Sequence, residues 1–411
     1  MIPARTPRAL LATAVLLATA LAGCTSPFSQ PFDCWRDAEP GTGAVERDAA
    51  PIDFDANTKT AYADMGFDGE TWPDLTGHSL IVLDHGAFDY AFGPAEEAFE
   101  NLTGADVQHI AADDAGSALQ RAIEDRQSGG HSFDVLYGID NVLMTRARDA
   151  GVLEPYTPLL ADRVAQPYRF VPTDDAGAWL ATPVDRGYIA VNTDPRSGLT
   201  VETWEDLVEH ADSFVTEDPR FSSPGLGLLV ASVAAFGEDC YLSFWDDLFE
   251  NGVTVESGWT EAYVDRFSGG YGQYEEGTRG DKAIVTSYTT SPAYEVYYGA
   301  EDENDVLLAP ESVFEQVQTM AIVAGTQNRA AAEAWVEFTL TDAFQVLAAP
   351  YNAIYPVVEN DATDASVEEV YGGNDPDPGD LVQAQLSHDE IGAGVETWVR
   401  HWSDLYDSHR A

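Results

Sequence analysis

Apolar and polar positions change period along this chain in a repeating order. Ser79, Leu80, Ile81, Val82 and Leu83 read as a continuous run of the kind found in a strand buried on both faces of a parallel sheet. The loop D-H-G-A-F-D-Y-A-F-G-P follows, and a helical pattern begins near Ala95. Next come an alternating run at Asp106 to Ala111, a helix from about Ser117 to Gln127, and the strand Phe133 to Tyr137. That strand closes in Gly138, Ile139, Asp140, Asn141 before another helix. Strand, loop and helix in repetition predict an α/β fold built on a doubly wound, mainly parallel sheet, with ligand-facing loops at the carboxyl ends of its strands. The loops after Leu83, Tyr137 and Val285 are therefore expected to line one crevice.

The second half repeats these devices. Ala181 to Asn192 is an extended stretch suited to crossing between two lobes. In R-F-S-S-P-G-L-G, Ser223 reads as a helix cap and Pro224 as the first helical residue, which aims the free N–H groups of that turn at the crevice. Val253 to Val255, then S-G-W-T-E-A-Y, gives another strand end with a tryptophan, Trp259. After Ala283 to Val285, the octapeptide S-Y-T-T-S-P-A-Y places Ser291 as a cap and Pro292 at the helix start, a site suited to a phosphate or hydroxyl. Tyr288 and Tyr294 flank this turn with flat rings that can stack on a heterocycle or face a cation. Val317 to Val323 returns the chain to the first lobe, and helices follow at Ala330 to Leu340 and Ser387 to Leu405. The last helix carries a capping box, Ser387 with Glu390, and a core stripe of Val395, Val399, Trp402 and Leu405. The boundaries drawn are 76–185 for the first lobe, 186–315 for the second and 316–411 for the return, with crossovers near Val184 and Glu315.

The start of the chain bears on location. Arg5 and Arg8 precede an apolar run from Ala9 to Ala22 that is too short to span a bilayer, and Leu21, Ala22, Gly23, Cys24 resembles a lipoprotein lipobox. Residues 1–23 are expected to be a signal peptide, Cys24 a lipid-modified N-terminus, and 24–75 an acidic tether holding an extracytoplasmic protein to the membrane. Against 71 acidic residues stand 20 basic ones, a net charge of −51. That charge repels nucleic acid, favours a cationic ligand, and is spread along the chain as in proteins adapted to high salt. Cys34 and Cys240 could bridge, and no cysteine or histidine spacing matches a metal site. Thr58 stands where a calcium loop begun at Asp53 needs glycine. Asn101 opens a glycosylation sequon.

Four stretches together carry a family resemblance: G-I-D-N at Gly138, D-P-R-F-S-S-P-G-L-G-L-L from Asp218, V-T-V-E-S-G-W-T-E-A-Y from Val253, and S-Y-T-T-S-P-A-Y from Ser287. They resemble the thiamine-binding periplasmic proteins, substrate-binding components of thiamine ABC importers. The resemblance implies a monomeric two-lobed receptor of the type II periplasmic-binding-protein fold. It would close on thiamine or its phosphates without a cofactor and deliver them to permease and ATPase subunits. Carried over by motif, Trp259, Tyr288 and Tyr294 are aromatic contacts, Thr290 and Ser291 lie near a phosphate or hydroxyl, and Asp140 lies near the pyrimidine. The chain departs from the pattern at His85 and Phe92 in the first loop and at Ala353, where an aromatic wall is lost.

Other classes stay open beside this one. A thiaminase-like enzyme of the same fold needs an activated cysteine in the crevice, and Cys34 in the tether and Cys240 within a helix are expected to lie away from it. A ferric-ion receptor would use adjacent tyrosines, of which Tyr297 and Tyr298 are a pair, and a polyamine receptor would use carboxylates with aromatics.

Overall fold

The computed structural model describes residues 34–37, 71–85, 89–169, 172–270, 280–297, 299–300, 304–372, 383–384 and 386–410. Cys24, the apolar leader and Tyr298 lie outside these residues, as does the side chain of Phe92.

Apolar runs that alternate with amphipathic helices produce the expected first unit. β1 (Ser79–His85), α1 (Asp89–Thr103), β2 (Asp106–Ala112), α2 (Ala115–Gln127) and β3 (Val135–Asp140) follow in order, and the three strands are parallel. α3 (Met144–Asp149) and β4 (Leu153–Glu154) lead to β5 (Thr182–Thr193), a strand of 12 residues. The second unit comprises α4 (Trp204–Glu209), β6 (Phe214–Glu217), α5 (Ser223–Phe236), α6 (Tyr241–Glu250), β7 (Thr254–Glu256), a π-helical turn at Thr260–Arg266, β8 (Ile284–Tyr288), α7 (Ser291–Tyr297) and β9 (Asp305–Val306). β10 (Phe314–Val323), α8 (Arg329–Thr339), α9 (Asp342–Gln345), α10 (Ala348–Asn352), β11 (Tyr355–Pro356), α11 (Asp361–Tyr371) and α12 (His388–Arg410) complete the chain.

Among the described residues these strands form one curled sheet with the central order β2-β1-β3-β10-β5-β8-β6-β7. β10 is antiparallel to both β3 and β5, so β3 and β5 run in the same sense. β5 continues beside β8, which runs against it and is parallel to β6. The carboxyl ends of β1, β2 and β3 thus point along β5 in one direction, and those of β6, β7 and β8 point back toward them. Register confirms the convergence: Asp140 lies level with Gln318 and Asp185, and Tyr288 pairs with Ile189 a few residues further along β5. Irregularities in β10 around Gln318, Thr319 and Met320 break the ladder at this level, the local twist that a bulge supplies beside a site.

α5 shows why the second unit packs tightly. All but one of its 14 residues are buried, as expected of a helix apolar all round. Gly225 and Gly227 let it approach closely: an added Cβ would lie 2.3 Å from the Glu217 carbonyl oxygen and 2.5 Å from Ile189 Cδ1, respectively.

Three sequence expectations change here. The tether is docked at Cys34–Asp37, where Trp35 is buried against Phe236 and Phe244 and donates to Asp247 Oδ2 (2.9 Å), and Cys34 is disulfide-bonded to Cys240. Cys240 sits in the turn before α6 and not within a helix, which leaves its sulfur free to reach Cys34. α12 packs on α5 and α6, with Trp402 edge-on to Trp245 and Trp398 Nε1 donating to Glu238 (2.9 Å), so the last helix covers the second unit as well as α3. Its Ser387–Glu390 capping box forms as read.

Candidate functional site

The end of β3 is shaped by Gly138, whose φ of +90° is closed to most side chains. A Cβ there would lie 2.1 Å from His85 Cδ2, so glycine makes room for the imidazole. His85 stacks on Tyr137 at 5.3 Å, and its Nε2 lies 2.7 Å from Gln318 Oε1. Burial holds the imidazole below its ordinary pKa, so it is neutral. Asp140 is fully buried and works locally: Oδ1 accepts from the N–H groups of Val142 and Leu143 (3.0 and 2.9 Å), and Oδ2 accepts from Gln316 Nε2 (2.9 Å). Asp185, on β5, accepts a short bond from the Tyr137 hydroxyl, and burial raises its carboxyl to about 7.

The end of β8 carries the octapeptide. Its helix begins one residue earlier than read: α7 starts at Ser291, and the Thr290 carbonyl accepts from Tyr294 N (3.0 Å), so Thr290 occupies the cap position. The Thr290 hydroxyl donates to the Ala353 carbonyl, and the Ser291 hydroxyl lies 3.0 Å from Ser287 Oγ. Tyr288 donates to Gln316 Oε1 (2.9 Å). Trp259 stacks on buried Tyr263 at 4.7 Å and 11° and donates from Nε1 to Ser287 Oγ (3.0 Å), which fixes its indole at the end of β8 while leaving it partly exposed. Tyr294 points elsewhere. It packs with Tyr188, Val313 and Tyr355, and its hydroxyl donates to the Pro350 carbonyl (3.3 Å).

At the end of β6, Glu217 is fully buried and neither carboxylate oxygen meets a donor from another residue. α5 starts at Ser223 with Ser222 in the cap position, again one residue before the reading; the Ser222 side chain faces Asp114, and the buried Ser223 hydroxyl meets no hydrogen-bond partner. Asp114, at the head of α2, reaches across from the first unit: its Oδ2 lies 3.4 Å from Trp259 N, and Gly116 N donates to the Phe221 carbonyl (3.0 Å). Burial pushes the Asp114 carboxyl up to about 8, and Glu217 is pushed far above its ordinary range by burial and by Asp114. The phenol of Tyr288 feels Asp140, Asp114, Asp185 and Glu217 together, so four buried carboxyl groups gather at the facing strand ends of the two units.

A family model described as "Bacterial extracellular solute-binding protein" matches residues 84–346. The chain belongs to this family. Among relatives of this solute-binding protein, the thiamine-binding periplasmic protein of Escherichia coli (strain K12) is 29% identical over 332 residues, 79% of this chain and 91% of that protein. Its counterpart in Salmonella typhimurium is 30% identical over 334 residues, with the same coverage. Among solved structures, a periplasmic thiamin binding protein superposes with a TM-score of 0.63 at 25% identity, over 80% of this chain and 99% of that one. The fold is accordingly that of the type II periplasmic binding proteins.

Of the residues singled out from the sequence, His85, Asp140 and Tyr288 end strands, and Ser223, Trp259, Thr290 and Ser291 lie just beyond strand ends. Asp114, Tyr137, Asp185, Glu217 and Tyr263 were missed. Asp185 and Glu217 carried a signal, since each is an acid inside or ending an apolar strand. Asp114 carried none, being one of 71 acids until α2 places it.

Proposed function

We propose that this solute-binding protein captures thiamine or a thiamine phosphate where the two sets of strand ends meet and hands it to the permease of an ABC importer. The observation that carries this reading is the gathering of four buried carboxyl groups, Asp114, Asp140, Asp185 and Glu217, at the facing strand ends, with Trp259 N 3.4 Å from Asp114; we read these strand ends as a recess for a cation. A thiazolium ring is a permanent cation with aromatic faces, and it satisfies both features at once. The relatives' identity and coverage support the same ligand. By this reading Trp259 and Tyr288 face the rings, Thr290, Ser291 and Ser223 lie toward the hydroxyl or phosphate end, and Asp140 orders the turn that meets the pyrimidine. The two units close about β5 and β10. This reading makes it a binding protein and no enzyme, supported by its solute-binding relatives and, against a thiaminase-like reaction that needs a thiolate, by the disulfide that joins both described cysteines. It acts as a monomer, exported and held to the outer membrane face through lipid on Cys24, in a high-salt setting suited to its charge of −51.

Calorimetric titration with thiamine, thiamine monophosphate, spermidine and ferric ion is the direct test. Saturable binding of thiamine or its monophosphate, tighter than that of the other two, is expected. Tighter binding of spermidine or ferric ion would replace this reading.

A further inference from the structure

Glu217 is the most isolated buried charge-bearing group at the recess. It ends β6, is fully buried, and has no donor from another residue within hydrogen-bonding reach. An ionised carboxylate in that position is costly unless a positive charge or a proton accompanies it. Asp114 approaches from the opposite unit, with its Oδ2 3.4 Å from Trp259 N and the Ser222 turn beside it, and its charge adds to the upward push on the Glu217 carboxyl. The groups around the pair offer no compensation. Asp113 and Glu261 add like charge to Asp114, and Asp140, Asp185 and the neutral Tyr288 phenol border the recess. Ser222 faces Asp114, and neutral His85 lies near Asp140. The nearby guanidinium groups are already engaged, Arg220 with Asp218 and Arg266 with Glu256 and Asp281.

We propose that Glu217 and Asp114, one from each side of the recess, are the counter-charges that select a cationic ligand, and that the ligand's positive charge replaces a proton held by the pair in the empty protein. This rests on the reading of the recess as a thiamine site. Capture is then an exchange: the cation enters, a proton leaves to solvent, and the charge of the recess is unchanged. A neutral ligand of the same shape leaves the proton in place. Asp114 joins the pair when its unit meets Trp259, so the exchange is coupled to closure across the strand ends.

Calorimetry on the full chain between pH 6 and 9, in two buffers of different ionisation enthalpy, counts the protons. Thiamine is expected to release a proton near pH 7, with the logarithm of its affinity rising by up to about one per pH unit below the pKa of the pair. Glu217→Gln and Asp114→Asn keep shape and remove charge, so both are expected to fold. Each should flatten the pH profile, reduce the proton count, and weaken thiamine binding at pH 8 by at least about tenfold. Neutral thiochrome should bind these variants at least as well as it binds the parent protein. If either variant fails to fold, the other variant and the proton count of the parent protein decide. Thiamine binding with no proton exchange, and with both folded variants within about twofold of the parent protein, would overturn the pair and leave the thiamine reading standing. Spermidine binding with a proton release that Glu217→Gln abolishes, and no thiamine binding, would keep the pair and overturn thiamine. Binding of neither cation overturns both.

Discussion

At the scale of single residues, the rings read from the octapeptide and its neighbours divide into two kinds. Trp259 presents an indole face held by Tyr263 and Ser287, and in the proposed thiamine site replacing it would remove a cation-facing surface worth about 0.5 to 2 kcal/mol or more when dry. Trp259→Ala is expected to weaken thiamine binding by about tenfold or more in titration and to shift the melting temperature little. Tyr294, which the motif made an equal ligand contact, packs into the cluster of Tyr188 and Tyr355. Tyr294→Ala is expected to lower unfolding free energy by about 3 kcal/mol in denaturant titration, with the remaining folded protein close to normal in affinity. Normal stability combined with lost affinity would return Tyr294 to the site. Asp114 supplies a pH test with a definite sign. Its carboxyl is raised from 3.8 to about 8, so its stabilising contribution is complete below about pH 4 and is lost as pH rises through 8. The melting temperature of the empty protein should therefore fall between pH 6 and 9, and Asp114→Asn should lessen that fall. An unchanged slope in the variant would show that Asp114 is ionised throughout.

At the scale of elements, the strand ends decide the geometry. The G-I-D-N stretch was legible as the close of a strand, and the reason for its glycine lies in a partner 53 residues earlier, His85. Gly138→Ala places a methyl group against the imidazole and forces a side chain into the left-handed region. A cost of about 1 to 3 kcal/mol is expected, with His85 displaced from Tyr137. An alanine variant as stable as the parent protein, by chemical denaturation, would show that the ring has room to move. The helix starts at Ser223 and Ser291 were read one residue late. The Ser-Pro pairs located both turns, but which residue takes the cap depends on its backbone angles, set at Ser222 by the packing of Gly225 on Glu217.

At the scale of the whole molecule, the segment Cys34–Asp37 is tied to the second unit. Cys34 and Cys240 are separated by 206 positions, and their bond closes a loop through β1 to β6. Replacing both by serine is expected to cost about 2 to 5 kcal/mol, measured by denaturant titration, because the open chain regains freedom when unfolded. Trp35 should then become accessible to quenchers. A serine pair as stable as the parent protein, with Trp35 still protected, would mean that burial of Trp35 alone holds the segment.

The alternation of apolar runs with helical patterns was enough to determine the α/β class and the parallel strands within each unit, since burial against two layers leaves few other arrangements for such runs. The aromatic and serine motifs were local in sequence, so Trp259, Tyr288 and Ser291 were legible too. The carboxylates were not. Glu217, Asp114 and Asp185 acquire their meaning from losing water and facing one another, and in a chain of 71 acids burial is decided by which strand ends converge. The course of α12 and the docking of Trp35 were hidden for the same reason. An amphipathic helix or a buried tryptophan announces that it needs a partner, while the identity of that partner is settled by the packed tertiary structure.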